Sequence, residues 1–137
     1  MESNNQHLRL QEIAGDLEIV LKREDLIHPD ISGNKWRKLK YNLQYAKANS
    51  YKTLLTFGGA YSNHLAAVAA AGYQYGFTTY GIVRGDELEG QLLNPTLKYC
   101  KQMGMALHFV SRSDYKDKER ALSTIIIEDK NPYVIPE

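Results

Sequence analysis

From Tyr51 onward the chain repeats one unit: a short apolar run, a turn of glycine or small polar residues, then a longer stretch with helical spacing. Residues 53–57 predict a strand, 63–75 an alanine-rich helix stopped at Gly76, and 78–83 a second strand. Residues 91–103 predict a helix ended by Gly104, and 106–110 a third strand. Ser113 or Asp114 then caps a helix over 115–129, and a last strand at 133–135 opens at Pro132 and stops at Pro136. A helix between successive strands rules out hairpins and implies parallel pairing with right-handed crossovers. The fold class is therefore α/β: an open, mainly parallel sheet with helices on both faces. The last strand has no helix after it, so the chain reads as cut at its C-terminal end.

Ahead of the repeat, residues 1–16 are polar and predict an extended arm, and residues 17–23 alternate as a strand that ends at Glu24-Asp25. A loop at 27–31 leads to a helix over 35–48, capped by Ser32 or Asn34, with Trp36, Leu39, Leu43 and Ala46 on one face. Two helix starts carry chemistry. Gly33-Asn34-Lys35 puts an amine in a first helical turn, where the helix dipole disfavours the ammonium form. Gly58-Gly59-Ala60-Tyr61-Ser62-Asn63-His64 turns off a strand into a helix, so free backbone N–H groups can hold an anion. An ordinary Ser/Asn helix cap fits that second segment equally well. Glu24 and Asp25 read as an ion pair or cap at the strand end. His7, His28 and His108 read as surface or loop residues, and Cys100 as a packed core thiol. The segment Arg84-Gly85-Asp86-Glu87 reads as a solvated loop at the ligand edge. Tyr41, Tyr45, Tyr73 and Tyr75 sit at helical spacing and read as a packing surface.

Composition bounds the partners. In 137 residues, 17 Lys and Arg nearly cancel 16 Asp and Glu, so charge gives no reason to expect nucleic acid or an anionic membrane. A single cysteine allows no internal disulfide, and no apolar run approaches the ~20 residues of a membrane span; the cytoplasm is the expected compartment. No histidine or carboxylate set has metal-ligand spacing. Neither a Walker A motif nor G-x-G-x-x-G follows any predicted strand, which excludes the common nucleotide-binding signatures.

Three blocks carry a resemblance. Lys22-Arg23-Glu24-Asp25-Leu26 matches a strand-end KRED. Gly33-Asn34-Lys35-Trp36-Arg37-Lys38-Leu39 matches GNKxRKLE, with Lys40 where Glu is usual. Gly58-Gly59-Ala60-Tyr61-Ser62-Asn63-His64 with Val68-Ala69-Ala70 matches GGxxSNHxxxxAAxA, although Tyr61 replaces a frequent Gln and Leu65-Ala66-Ala67 departs from Thr/Val-Arg-Gln. In this order and spacing the chain resembles the N-terminal portion of the 1-aminocyclopropane-1-carboxylate deaminase and D-cysteine desulfhydrase family, which has the tryptophan-synthase-β-like fold and uses pyridoxal phosphate. The resemblance implies that residues 1–50 belong to a larger cofactor-binding domain and residues 51–137 to a smaller α/β domain.

It further implies that Lys35 forms the Schiff base with pyridoxal phosphate and that Ser62 acts beside the substrate. Asn63 bonds the cofactor's phenolic oxygen, and the N–H groups around Ser62, Asn63 and His64 hold the substrate carboxylate. The reaction implied is deamination or β-elimination of a small amino acid, releasing ammonia and a 2-oxo acid. The cofactor's phosphate loop, the partner of its pyridine nitrogen and a substrate-side tyrosine would lie beyond Glu137. The expected partner is thus a homodimer mate or a separate C-terminal half, and the alternative role is an inactive fragment acting as an interaction module.

Overall fold

The structure is a computed structural model; it describes residues 2–8, 15–31, 33–129 and 131–137. Its centre is a four-stranded, all-parallel sheet in the order β5-β4-β3-β6. These strands are β3 (Thr53–Gly59), β4 (Thr78–Arg84), β5 (Ala106–Val110) and β6 (Tyr133–Val134). β3 and β4 pair in register from Thr53↔Thr78 to Gly59↔Arg84. Both are central strands, and residues 53–58 of β3 are buried throughout, as a parallel sheet covered on two faces requires.

Strand alternation divides the core into two layers. Leu54 and Val83 face one side and pack with α1 (Asn34–Ala48), α2 (Asn63–Tyr75) and α3 (Pro95–Gln102), through Leu39, Leu43, Leu65, Val68, Leu97 and Cys100. Leu55, Phe57 and Ile82 face the other side, against Tyr115 of α4 (Arg112–Lys116) and Ala121 of α5 (Lys118–Ser123). The chain steps outward from β3 to β4 to β5, then crosses back to lay β6 on the other side of β3. The crevice beyond the carboxyl ends of β3 and β6 is thus a switch point in strand order, the usual ligand position in open α/β sheets. The expected α/β class and parallel sheet are both present.

Several expectations need correcting. The predicted strand at 17–23 is β2 (Ile19–Lys22), paired antiparallel with β1 (Asn5–Leu8) in a separate two-stranded sheet. Part of the expected arm is therefore a strand, fixed by cross-strand bonds that no local pattern encodes. The expected helix at 91–103 begins only at Pro95, because Asn94 is the residue whose side chain caps it, accepting from Leu97 N at 2.9 Å. The long helix expected at 115–129 is two short ones, capped by Ser111 and Asp117 instead of Ser113 or Asp114. The cap of α1 is Gly33, so Asn34 is already helical; Ser32 lies outside the described residues. Of the four tyrosines, Tyr45 packs against Tyr51 and Tyr133, whereas Tyr41 and Tyr73 stand in solvent.

Candidate functional site

Lys35 is the second residue of α1, and its place is set by the loop before it. Gly33 has φ +62°, a left-handed conformation that an L side chain rarely adopts, and its N–H donates to Glu24 O at 2.8 Å. His28, read as a surface or loop residue, lies in the loop and is buried there. Its Nδ1 accepts from the N–H groups of Asp30 (3.1 Å) and Ile31 (3.0 Å), so the proton sits on Nε2, which donates to Gln74 at 2.9 Å. The ring also stacks on Trp36 at 5.4 Å. The loop that delivers Lys35 is thereby fastened to α1 and α2 together. Glu24 adds an ion pair with Arg37 at 2.9 Å, and hydrogen bonds from Arg37 and Ser3 hold its carboxyl down at about 2. The expected structural role of Glu24 and Asp25 is borne out, Asp25 pairing with Arg23 at 2.6 Å.

Ser62, Asn63 and His64 start α2. Ser62 is its N-cap: the side-chain oxygen accepts from Leu65 N at 3.2 Å, and its own N–H donates to Gly59 O at 3.0 Å. The capping reading is therefore correct, and the hydroxyl keeps its proton for another acceptor. Gly58 is required by space, not by backbone angle: a Cβ there would lie 2.6 Å from Ser62 Oγ and 2.7 Å from Leu65 Cγ. The helix start thus sits directly on the end of β3.

His64 points into the core with only 2% of its surface exposed. Thr56 Oγ1 donates its one proton to Ile135 O at 2.9 Å. His64 Nε2 must therefore be the donor across the 2.9 Å contact with Thr56 Oγ1, leaving Nδ1 as a buried acceptor with no partner among the described residues. Burial first, and the nearby Lys35 charge second, push the imidazole down to about 4. The side chain of His64 thus anchors the turn, and only its backbone N–H remains for an anion.

The two helix starts meet. Lys35 and Asn63 line one cleft of about 320 Å³, together with Asp30, Gly33, Asn34, Ala66 and Ala67. That volume is at the small end of the roughly 300–1,000 Å³ of ligand pockets. Lys35 is half-buried and forms no ion pair among the described residues. An unpaired amine, a facing carboxamide and a helix start together suit a carbonyl-bearing anionic cofactor such as pyridoxal phosphate. Local sequence gave no sign of Thr56, His28 or Asn94 as supports; Asn94 donates to Ala60 O at 2.8 Å and so holds the turn from α3. His108, read as a surface or loop residue, instead lies in β5 and stacks on Tyr80 at 5.8 Å, with burial lowering its pKa. Cys100 is buried as expected, its thiol pushed up to about 11 by burial. Among the described residues no three potential metal ligands come together.

A parallel α/β sheet with a lysine beside a helix start at its carboxyl edge defines the class: the fold of the tryptophan-synthase-β-like pyridoxal-phosphate enzymes. Comparison with known proteins gives the family. No protein-family model matches the chain. A bifunctional D-cysteine desulfhydrase/1-aminocyclopropane-1-carboxylate deaminase, mitochondrial, from Arabidopsis thaliana is 32% identical over 128 residues, covering 87% of this chain and 32% of the relative. A Thermotoga maritima protein described as a putative 1-aminocyclopropane-1-carboxylate deaminase is 35% identical over 133 residues, covering 94% and 41%. A solved ACC deaminase homologue superposes with TM-score 0.77 at 29% identity, over 99% of this chain and 42% of that one. O-ureido-L-serine synthase, at 16% identity and TM-score 0.63, shares the fold. The chain belongs to the 1-aminocyclopropane-1-carboxylate deaminase and D-cysteine desulfhydrase family, whose members are enzymes, and it spans about a third to two fifths of the length of these relatives.

Proposed function

We propose that this chain carries the reactive-lysine part of a pyridoxal-phosphate-dependent deaminase or lyase acting on a small amino acid, with ammonia and a 2-oxo acid as products. The observation that supports this best is the shared cleft of Lys35 and Asn63, two residues from separate helix starts. The names of the relatives point to 1-aminocyclopropane-1-carboxylate or D-cysteine as the type of substrate. Pyridoxal phosphate, when bound, supplies the electron sink for a bond broken at the substrate's α-carbon.

The chain's own residues supply position and proton transfer. Lys35 Nζ would hold the cofactor and, as a free amine, would take up or return a proton at the substrate carbon. The Asn63 carboxamide would orient the cofactor ring through its phenolic oxygen. Ser62 Oγ, already accepting from Leu65 N, has its O–H left to donate toward the substrate. The N–H groups of the first turn of α2 hold the substrate carboxylate, aided by the positive end of the helix dipole. In this reading residues 1–50 belong to the larger cofactor domain, residues 51–137 to the smaller one, and the compartment is the cytoplasm. Further contacts to the cofactor come from the part of the family fold outside this sequence, carried by a separate half or joined through a homodimer.

The test is borohydride reduction of the chain with pyridoxal phosphate, followed by peptide mass mapping. We expect one dominant modified peptide, the one carrying Lys35, and its loss in Lys35→Ala. Labelling spread evenly over the exposed lysines would exclude a poised Lys35.

A further inference from the structure

On the other face of the sheet, at the same carboxyl edge, five side chains form a cluster that the lysine cleft does not use. Phe57 and Tyr115 meet edge to face at 6.0 Å. The Lys118 ammonium lies over both rings, 3.7 Å from the Tyr115 centroid and 4.2 Å from that of Phe57. The Arg84 guanidinium approaches the Tyr115 ring at 5.7 Å. Its Nη2 also lies 3.7 Å from where a Cβ of Gly59 would be, so it rests against the tip of β3.

The cluster already holds a carboxylate. Tyr115 Oη donates to Glu137 Oε2 at 2.7 Å, and Lys118 Nζ is 3.8 Å from the same oxygen. Lys118 is thus the cation beside this acid, and Arg84 has no ion-pair partner among the described residues. Burial lowers the pKa of Lys118; Glu137 opposes that shift, and Arg84 adds a smaller push in the same direction as burial. Burial first, then Glu137, raises the Tyr115 hydroxyl, which therefore stays a proton donor. Glu137 and Lys118 are each nearly half exposed, so their pairing is weak and the acid can leave.

We propose that Arg84, Tyr115 and Lys118 form a binding site for small carboxylates, and that the Glu137 side chain is its internal, exchangeable occupant. Tyr115 gives the directed hydrogen bond, Lys118 and Arg84 give charge, and the two aromatic rings hold the cations in place. The site lies on the sheet face opposite α2 and does not depend on the role assigned to Lys35.

The test is an amide and arginine-side-chain NMR titration of the 137-residue chain with sodium acetate, set against sodium chloride at equal ionic strength. Acetate, and not chloride, is expected to shift the Arg84 Nε–H and the amides of Tyr115 and Lys118 saturably. Glu137→Gln should tighten acetate at least threefold, by weakening the competitor. Arg84→Gln combined with Lys118→Met should abolish binding in a chain whose amide dispersion is otherwise native, and Arg84→Lys should retain it. Equal shifts with chloride, no gain in Glu137→Gln, or undiminished binding in the double variant would each overturn the proposal. D-alanine distinguishes the source: binding like that of acetate assigns the site to the carboxylate of an amino acid, and exclusion assigns it to an acid with no ammonium beside it. Borohydride labelling of Lys35 reads neither result, so the two proposals fail separately.

Discussion

His64 shows how one residue can follow a family motif and act in a way the motif does not reveal. In sequence it is the third polar residue of a helix start, available to an anion. In the structure its imidazole is turned inward and only its backbone faces the turn. The consequence is a pH dependence whose sign is fixed. The free imidazole has a pKa of 6.5, and in the fold it is held at about 4. Between these values the unfolded chain binds the proton and the folded one does not, so stability falls as pH drops through that window and levels off below it. The full span corresponds to an effect on the order of 3 kcal/mol. Urea unfolding from pH 7 to 4 should show this loss, and His64→Gln should flatten it. Glu24 acts in a lower window: its folded carboxyl is held near 2 instead of 4.5, so its contribution disappears as pH falls between these values. The two steps are therefore separable.

At the scale of elements, the placement of α2 depends on neighbours distant in sequence. Its start rests on the end of β3 because Gly58 leaves room for Ser62 and Leu65. It is held laterally by Asn94, which both caps α3 and donates to Ala60 O in the turn. Asn94→Ala removes both bonds. Losing the cap alone costs about 1 kcal/mol, and the unsatisfied Ala60 carbonyl adds roughly 1 more where water does not replace the donor. We expect a lowered unfolding midpoint together with faster hydrogen exchange at Ser62, whose amide donates to Gly59 O within the turn. Unchanged exchange there would mean that β3 alone fixes the turn.

Over the whole molecule, one bond chain joins the two ends of the fold: His64 of α2, Thr56 of β3 and the carbonyl of Ile135 just after β6. Thr56→Val keeps the shape and leaves a buried donor and a buried acceptor without partners. Each such group costs about 1–3 kcal/mol. Calorimetry should therefore show a clear drop in stability, and the variant should loosen β6, seen as faster exchange of the Ile135 amide that donates to Leu55 O at 2.8 Å. No helix among the described residues is long and apolar enough to cross a membrane.

The sequence by itself determined the α/β class, the four strands of the parallel sheet, the span of α2 and its stop at Gly76, and the segments that bear Lys35, Ser62 and Asn63. These depend on periodicity, helix caps and turn residues, all read within a window of a few positions. Tertiary structure decided the rest. The antiparallel pairing of β1 with β2 and the break of the 115–129 segment into α4 and α5 depend on pairing and packing across the chain. The burial of His28 and His64 was equally illegible, because a histidine is indifferent to burial until its ring nitrogens find partners, here Gln74 and Thr56. The meeting of Lys35 with Asn63, and of Tyr115 and Lys118 with Glu137, arises only when the sheet brings separate helices and strand ends to one edge.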